Sequence, residues 1–290
     1  MTALFDLSRS LSALAEGLSP HVVSVWSGSG AASGFVWREN LVVTAEEALA
    51  GEGEITVVAP DGARLPATLV GRDPSTDVAL LRVEAGPSKP VALDLGTSRR
   101  LGELALALGR GRDGAVAALG LVGTVGPAWR SLRGGTIDAR LGLDLRLPRS
   151  AEGGLAADAE GRAFGMTVLG PRRATLVIPA ATVERVATQL LARGRIVRGY
   201  LGVGLQPLRL DGTGEPGLLV ISLDEAGPGR QAGLVQGDIL LRMGGEALGS
   251  THALMARLGP DAVGRSLEVE ILRGGERRVL AVVVGEHPAS

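Results

Sequence analysis

The chain has 290 residues, enough for two modest domains that each bury a core. Hydrophobic residues make up 45% and aromatic residues only 2%, so the core has to be built from Ala, Val and Leu. With 30 Lys and Arg against 31 Asp and Glu the net charge is -1, which leaves no global field for nucleic acid, and the absence of cysteine excludes disulfides, thiolate metal sites and cysteine nucleophiles.

Leu4, Leu7, Leu11, Leu14 and Leu18 recur at alternating spacings of three and four, which predicts one apolar stripe along a short helix ended by Gly17 to Pro20. The stripe would dock on the body of its own domain or pair with a second subunit. Asp6, Arg9 and Glu16 interrupt residues 1 to 20, so this stretch does not read as a secretory leader. No run approaches the roughly 18 apolar residues needed to cross a bilayer, and Val279 to Val284 is only strand-sized. The expectation is a cytoplasmic protein with no membrane span.

From Val22 to about Leu176 the chain changes to short β-rich runs broken by Gly, Pro, Asn and Asp, among them Val22 to Val25, Gly34 to Trp37, Leu41 to Thr44, Ile55 to Val58, Leu65 to Val70, Val78 to Val83, Leu104 to Leu108 and Ala163 to Leu169. Strands at this spacing without long helices between them predict an antiparallel barrel or sandwich, and the pattern does not choose between the two. Pro179 then opens a helix with Val183, Val186, Ala187, Leu190 and Leu191 on one face, closed by Gly194. Beyond Arg198 a second β-rich segment carries a Gly-Asp-Ile-Leu turn at Gly237 to Leu240, a helix near Thr251 to Leu258, and a hairpin whose arms, Leu267 to Arg273 and Glu276 to Val284, flank Gly274-Gly275.

Ser33-Gly34-Phe35-Val36 followed by Leu41-Val42-Val43-Thr44-Ala45, then Asp73-Pro74-Ser75-Thr76-Asp77-Val78-Ala79-Leu80-Leu81, then Glu152-Gly153-Gly154 with Asp158-Ala159-Glu160-Gly161-Arg162, stand in an order that resembles the HtrA/Deg family of bacterial trypsin-fold serine proteases with PDZ domains. The resemblance runs from about residue 20 to 285. After the leucine-striped amphipathic helix over 1-20, it implies a mainly β protein: a trypsin-like double β-barrel over 21-178, a linker helix over 179-197 and a PDZ domain over 198-290.

That family's chemistry needs a hydroxyl nucleophile, an imidazole to take its proton and a carboxylate to orient the imidazole. Matched position by position, the histidine is replaced by Glu47 and the serine by Glu152, and only Asp77 agrees. The histidines of this chain, His21, His252 and His287, lie elsewhere. Arg149-Ser150-Ala151 and Leu155 also depart from the family's pattern around the loop that aims N–H groups at an oxyanion. The resemblance therefore leads to the expectation of a degenerate, non-catalytic member. Glu47, Asp77 and Glu152 should share one cleft, either as partly protonated carboxylates or as oxygen ligands for a hard cation; no cofactor or resident metal is expected.

Arg198-Gly199-Tyr200-Leu201-Gly202-Val203 resembles the carboxylate-binding loop of HtrA-type PDZ domains, and Gly227-Pro228, Ala232-Gly233-Leu234 and Gly237-Asp238-Ile239-Leu240 follow at PDZ-like spacing. In that mode a peptide C-terminus adds as a strand along Val203 to Gln206, with its last side chain in an apolar pocket. Leu201, Val203, Met255 and Leu258 are the pocket candidates, His252 a candidate contact to a residue upstream of the peptide's end, and Arg198 and Tyr200 members of the loop. The resulting expectation is a bacterial peptide-binding adaptor or regulator, partnered by protein C-termini and assembled as a homo-oligomer with a trimer as one form. An enzyme with residual or carboxylate-based hydrolysis, and a structural self-assembly subunit, are the alternatives.

Overall fold

A computed structural model of the chain describes every residue except 1, 29, 50–52, 87, 97, 132, 260–261 and 287–290; His287 thus lies outside the described residues. The chain divides into two compact units, Met1–Ile196 and Val197–Ser290.

In the first unit, helix α1 (Ala3–Leu18) carries the predicted leucine stripe, but only its C-terminal half is covered. Leu18 is buried and Leu14 and Ala15 pack against the core, whereas Leu4, Phe5 and Leu7 are 79%, 50% and 47% exposed. Strands β1 (Val22–Ser27), β2 (Gly30–Arg38), β3 (Leu41–Thr44), β4 (Ile55–Val58), β5 (Arg64–Asp73) and β6 (Val78–Val83) close into an antiparallel barrel in the order β1-β2-β3-β6-β5-β4. Register shifts in β2 between Val36 and Arg38 and in β5 between Leu69 and Gly71 bend the strands enough for closure, which decides barrel over sandwich.

The second barrel is built from β7 (Leu104–Gly111), β8 (Gly114–Gly126), β11 (Arg140–Asp144), β12 (Leu155–Asp158), β13 (Ala163–Leu169) and β14 (Thr175–Pro179), in the order β11-β14-β13-β12-β7-β8. A small hairpin of β9 (Trp129–Arg130) and β10 (Thr136–Ile137) stands between β8 and β11. Helix α2 (Ala180–Arg193) starts after Pro179 and ends at Gly194, which is left-handed with its N–H donating to Leu190 O at 2.7 Å. Its face of Val183, Val186, Ala187 and Leu190 joins Phe35 and Leu80 of one barrel and Leu108 and Leu155 of the other in one continuous core, so α2 clamps both barrels. Glu184 on α2 accepts from Trp37 Nε1 at 2.6 Å and pairs with Arg38 at 2.7 Å, tying the helix to β2.

The second unit opens with β15 (Gly199–Tyr200), which pairs with β22 (Gly285–Glu286). Between them lie β16 (Val203–Arg209), β17 (Pro216–Leu223), helix α3 (Pro228–Gln231), β18 (Ile239–Met243), β19 (Glu246–Ala247), helix α4 (Thr251–Arg257), β20 (Ser266–Arg273) and β21 (Glu276–Val283). The sheet runs β16-β17-β18-β20-β21 with β19 on β18, so β16 is an edge strand. The hairpin turns at Gly274-Gly275, both with positive φ as a tight two-residue connection requires. Ser250 caps α4, its hydroxyl accepting from Ala253 N–H at 3.1 Å. The core of Leu218, Leu240, Met243, Val269, Ile271 and Val282 is bordered by an ion pair between the buried Asp238 and the partly exposed Arg273 at 2.7 Å.

Candidate functional site

Two places in the chain gather polar or unpaired groups. The first lies between the barrels. The Asp73 carboxylate is buried and accepts from Ser75 N–H, Ser75 Oγ and Thr76 Oγ1, forming a rigid turn that delivers Asp77 at the start of β6. Asp77 sits in the left-handed region (φ 57°), a conformation that short polar side chains tolerate. Its Oδ1 accepts from Glu47 N–H at 2.9 Å and its carbonyl from Glu46 N–H at 3.3 Å, which docks the segment after β3 onto the turn.

Glu152 follows a single 3-10 turn at Arg149–Ala151, and its Oε1 accepts from Leu169 N–H at 3.2 Å. Gly153 is left-handed (φ 83°) and packed so closely that a Cβ there would run into the Ser33 carbonyl. This is why a glycine follows position 152. The N–H groups of Ala151 and Glu152 donate to the carbonyls of Pro148 and Arg149, and those of Gly153 and Gly154 to Thr167 O and Ala151 O. The donors that the family resemblance has aimed at an oxyanion are thus spent on carbonyls of the loop itself and of β13.

The three carboxylates do share one region of field. Burial, more than anything else, pushes Asp77 up to about 7; the Glu47 N–H bond opposes this, and Glu47, Glu152 and Glu46 add to it. Glu152 is also raised, first by burial and then by Glu47, against the Leu169 N–H bond and Arg149. Glu47 itself is half-exposed, with Arg133 Nη2 3.7 Å from its Oε1, while Glu46 lies 3.6 Å from Arg72. Among the described residues no group of three or more His, Cys, Asp or Glu side chains is placed to hold a metal ion.

The second place is the start of β16. Gly202 is left-handed (φ 70°), and a Cβ on it would stand 2.9 Å from Gly227 Cα, so the loop closes only with glycine at 202. The loop is pinned from behind by Gly229 N–H to Leu201 O at 2.7 Å and Asp224 N–H to Gly202 O at 2.8 Å. Tyr200 Oη donates to Asp224 Oδ2 at 3.1 Å, an anchor the sequence reading missed because residues 24 apart carry no local signal. Helix α4 packs along β16. Of the pocket candidates, Val203 is half-buried and Met255 is 41% exposed, whereas Leu201 and Leu258 belong to the core beneath. His252 is exposed on the first turn of α4, and Arg198 is half-buried just before the loop.

Known proteins match along nearly the whole chain. Residues 32–166 fit a trypsin-like peptidase domain and residues 199–284 a PDZ domain. Probable periplasmic serine endoproteases of the DegP-like kind are similar: one from Brucella suis is 29% identical over 273 residues, covering 88% of this chain and 52% of that protein. One from Pseudomonas fulva is 33% identical over 272 residues, covering 89% and 56%. The chain therefore spans about half the length of the curated relatives it matches. In fold it resembles the serine endoprotease from Yersinia pestis (TM-score 0.75, 24% identity, 97% and 98% of the two chains) and the HtrA-type protease AlgW with decapeptide (TM-score 0.77, 22% identity, 96% and 99%).

These findings correct two expectations. The chain was expected not to be an enzyme because Glu47 and Glu152 occupy the histidine and serine positions; the relatives it matches are named serine endoproteases, which overturns that expectation. It was expected to be cytoplasmic, and the same relatives are named periplasmic. The physical reason for the second error is that the first twenty residues fold as α1 and its connection to β1, part of the folded body, so their lack of a leader pattern carries no information about compartment. In sequence and fold alike, the chain belongs to the HtrA family of proteins that join a trypsin-like peptidase domain to a PDZ domain.

Proposed function

We propose that this chain is a periplasmic peptide-binding member of the HtrA family, in which the groove between β16 and α4 takes the free C-termini of peptides and proteins. The observation that supports this best is the loop Arg198–Val203: its Gly202 is left-handed, its rear is pinned to Asp224 and Gly229, and it opens onto the unpaired edge of β16. N–H groups of such a loop suit a terminal carboxylate, and the free strand edge suits an extended peptide backbone. Val203 and Met255 flank the place where the last side chain would lie, which favours an apolar terminal residue.

Proteolysis is the activity that the relatives' names bring to this chain, with Asp77 the position of the three that matches the family. A homo-oligomer, with a trimer as one form, is part of the same reading, the uncovered Leu4, Phe5 and Leu7 of α1 being the surface that favours it.

Calorimetric titration of the full chain with a peptide ending in a free apolar residue, and with its C-terminally amidated copy, tests the binding. Loss of the terminal charge should weaken binding by about tenfold or more; equal affinity for the two forms would refute the groove assignment. Release of fragments from labelled casein by the same preparation, compared with Asp77→Asn, measures the hydrolysis.

A further inference from the structure

The proposed groove has a built-in end, and it rests on Pro207. In an antiparallel pair, residues alternately point their N–H and C=O groups toward the partner strand and away from it. Three hydrogen bonds fix that phase for β16. Gly202 O accepts from Asp224 N–H on the β17 side, so the even-numbered residues of β16 face inward. Val220, which stands opposite Leu205, spends both of its groups on the other side, its N–H on Asp238 O and its C=O on Gly237 N–H. Leu205 therefore turns its own N–H and C=O to the free edge, as do Val203 and Arg209, while Pro207 turns only its C=O there. Pro207 pairs in register with Leu218, and this phase is the one in which its missing N–H costs the sheet nothing.

On the peptide side the same fact is a loss. A peptide whose carboxylate sits at the loop runs antiparallel to β16, so two steps along β16 are two steps back along the peptide. Its last residue meets Val203, its third from last exchanges two bonds with Leu205, and its fifth from last meets Pro207, which has no hydrogen to donate and presents a ring to the peptide carbonyl.

Resting on the C-terminus-binding reading, we infer that Pro207 terminates the strand addition and confines recognition to about the last four residues of a peptide. This makes Pro207 a specificity-determining residue: selection falls on the peptide's end, and upstream backbone, denied a donor at 207, adds little affinity.

The test uses the full chain and peptides of four, six and ten residues with free N-termini that all end in Ala-Ala-Leu-Val, extended at the N-terminus with alanine, so that the tetrapeptide brings no carbonyl opposite residue 207. Wild-type protein should bind all three within about twofold. Pro207→Val restores one donor at the free edge, and the two longer peptides should then bind about threefold to tenfold tighter than the tetrapeptide. A wild-type gain of more than about fivefold from tetrapeptide to decapeptide overturns the inference, and so does a flat length dependence in Pro207→Val. Failure of every peptide, the tetrapeptide included, to bind either protein overturns the binding reading itself, and is distinguished by the absence of any tetrapeptide affinity.

Discussion

Replacing Asp77 by Asn should stabilise the double-barrel unit at alkaline pH and leave it nearly unchanged at acid pH. Asn keeps the acceptor for Glu47 N–H and, like Asp, tolerates the left-handed backbone, so the charge is the one thing removed. A carboxyl raised from 3.8 to about 7 holds more protons in the folded than in the unfolded state between those two values. Stability is therefore full below about pH 4 and falls as the pH rises toward 7. The full shift corresponds to about 4 kcal/mol; water reaching the partly open cleft screens it, and about 2 kcal/mol is a fair expectation. For a unit of this size that is about 4–8 °C in melting temperature at pH 8. Differential scanning calorimetry at pH 4 and pH 8 reads it directly. An Asp77→Asn shift of the same size at both pH values would show that the buried charge is not what the region works against.

Two further substitutions probe the second unit. Gly202→Ala forces a side chain into the left-handed region and against Gly227, so it should destabilise the unit by about 1–3 kcal/mol and weaken peptide binding at least tenfold, both measurable by thermal melting and titration. Asp238→Asn leaves Arg273, whose side chain is 29% exposed, facing a neutral partner at a buried position and should cost about 1–3 kcal/mol by urea denaturation. The Arg273 guanidinium and the Val235 N–H hold Asp238 below its usual range against the cost of burial, so this contribution is present at neutral pH and is lost as the pH falls through the acid range; the wild type and Asp238→Asn should converge there.

Much of the architecture was legible along the chain because local signals and the final fold agree. The Gly274-Gly275 turn and the Pro179 start and Gly194 stop of α2 each depend on backbone chemistry within a few residues. Strand β8 was not legible: Gly114–Gly126 holds Gly and Ala so densely, with Leu119 and Leu121 turned outward, that its alternation is flat in hydrophobicity. Strands β11, β12 and β14 escaped for a related reason, being short and buried.

The motif residues themselves came from the chain: Glu47, Asp77 and Glu152 in the barrels, and Gly202 in the second unit, follow from the resemblance and from glycine's unique access to positive φ. What they do to one another was decided by folding. The rise of Asp77 to about 7 needs burial between two barrels, and the turning of the Ala151 and Glu152 N–H groups onto Pro148 and Arg149 needs the loop's actual path. Pro207 shows the same division most plainly. Its lack of an N–H is written in the sequence, but which side of β16 that gap faces depends on register against β17, and register is a property of paired strands rather than of either strand alone.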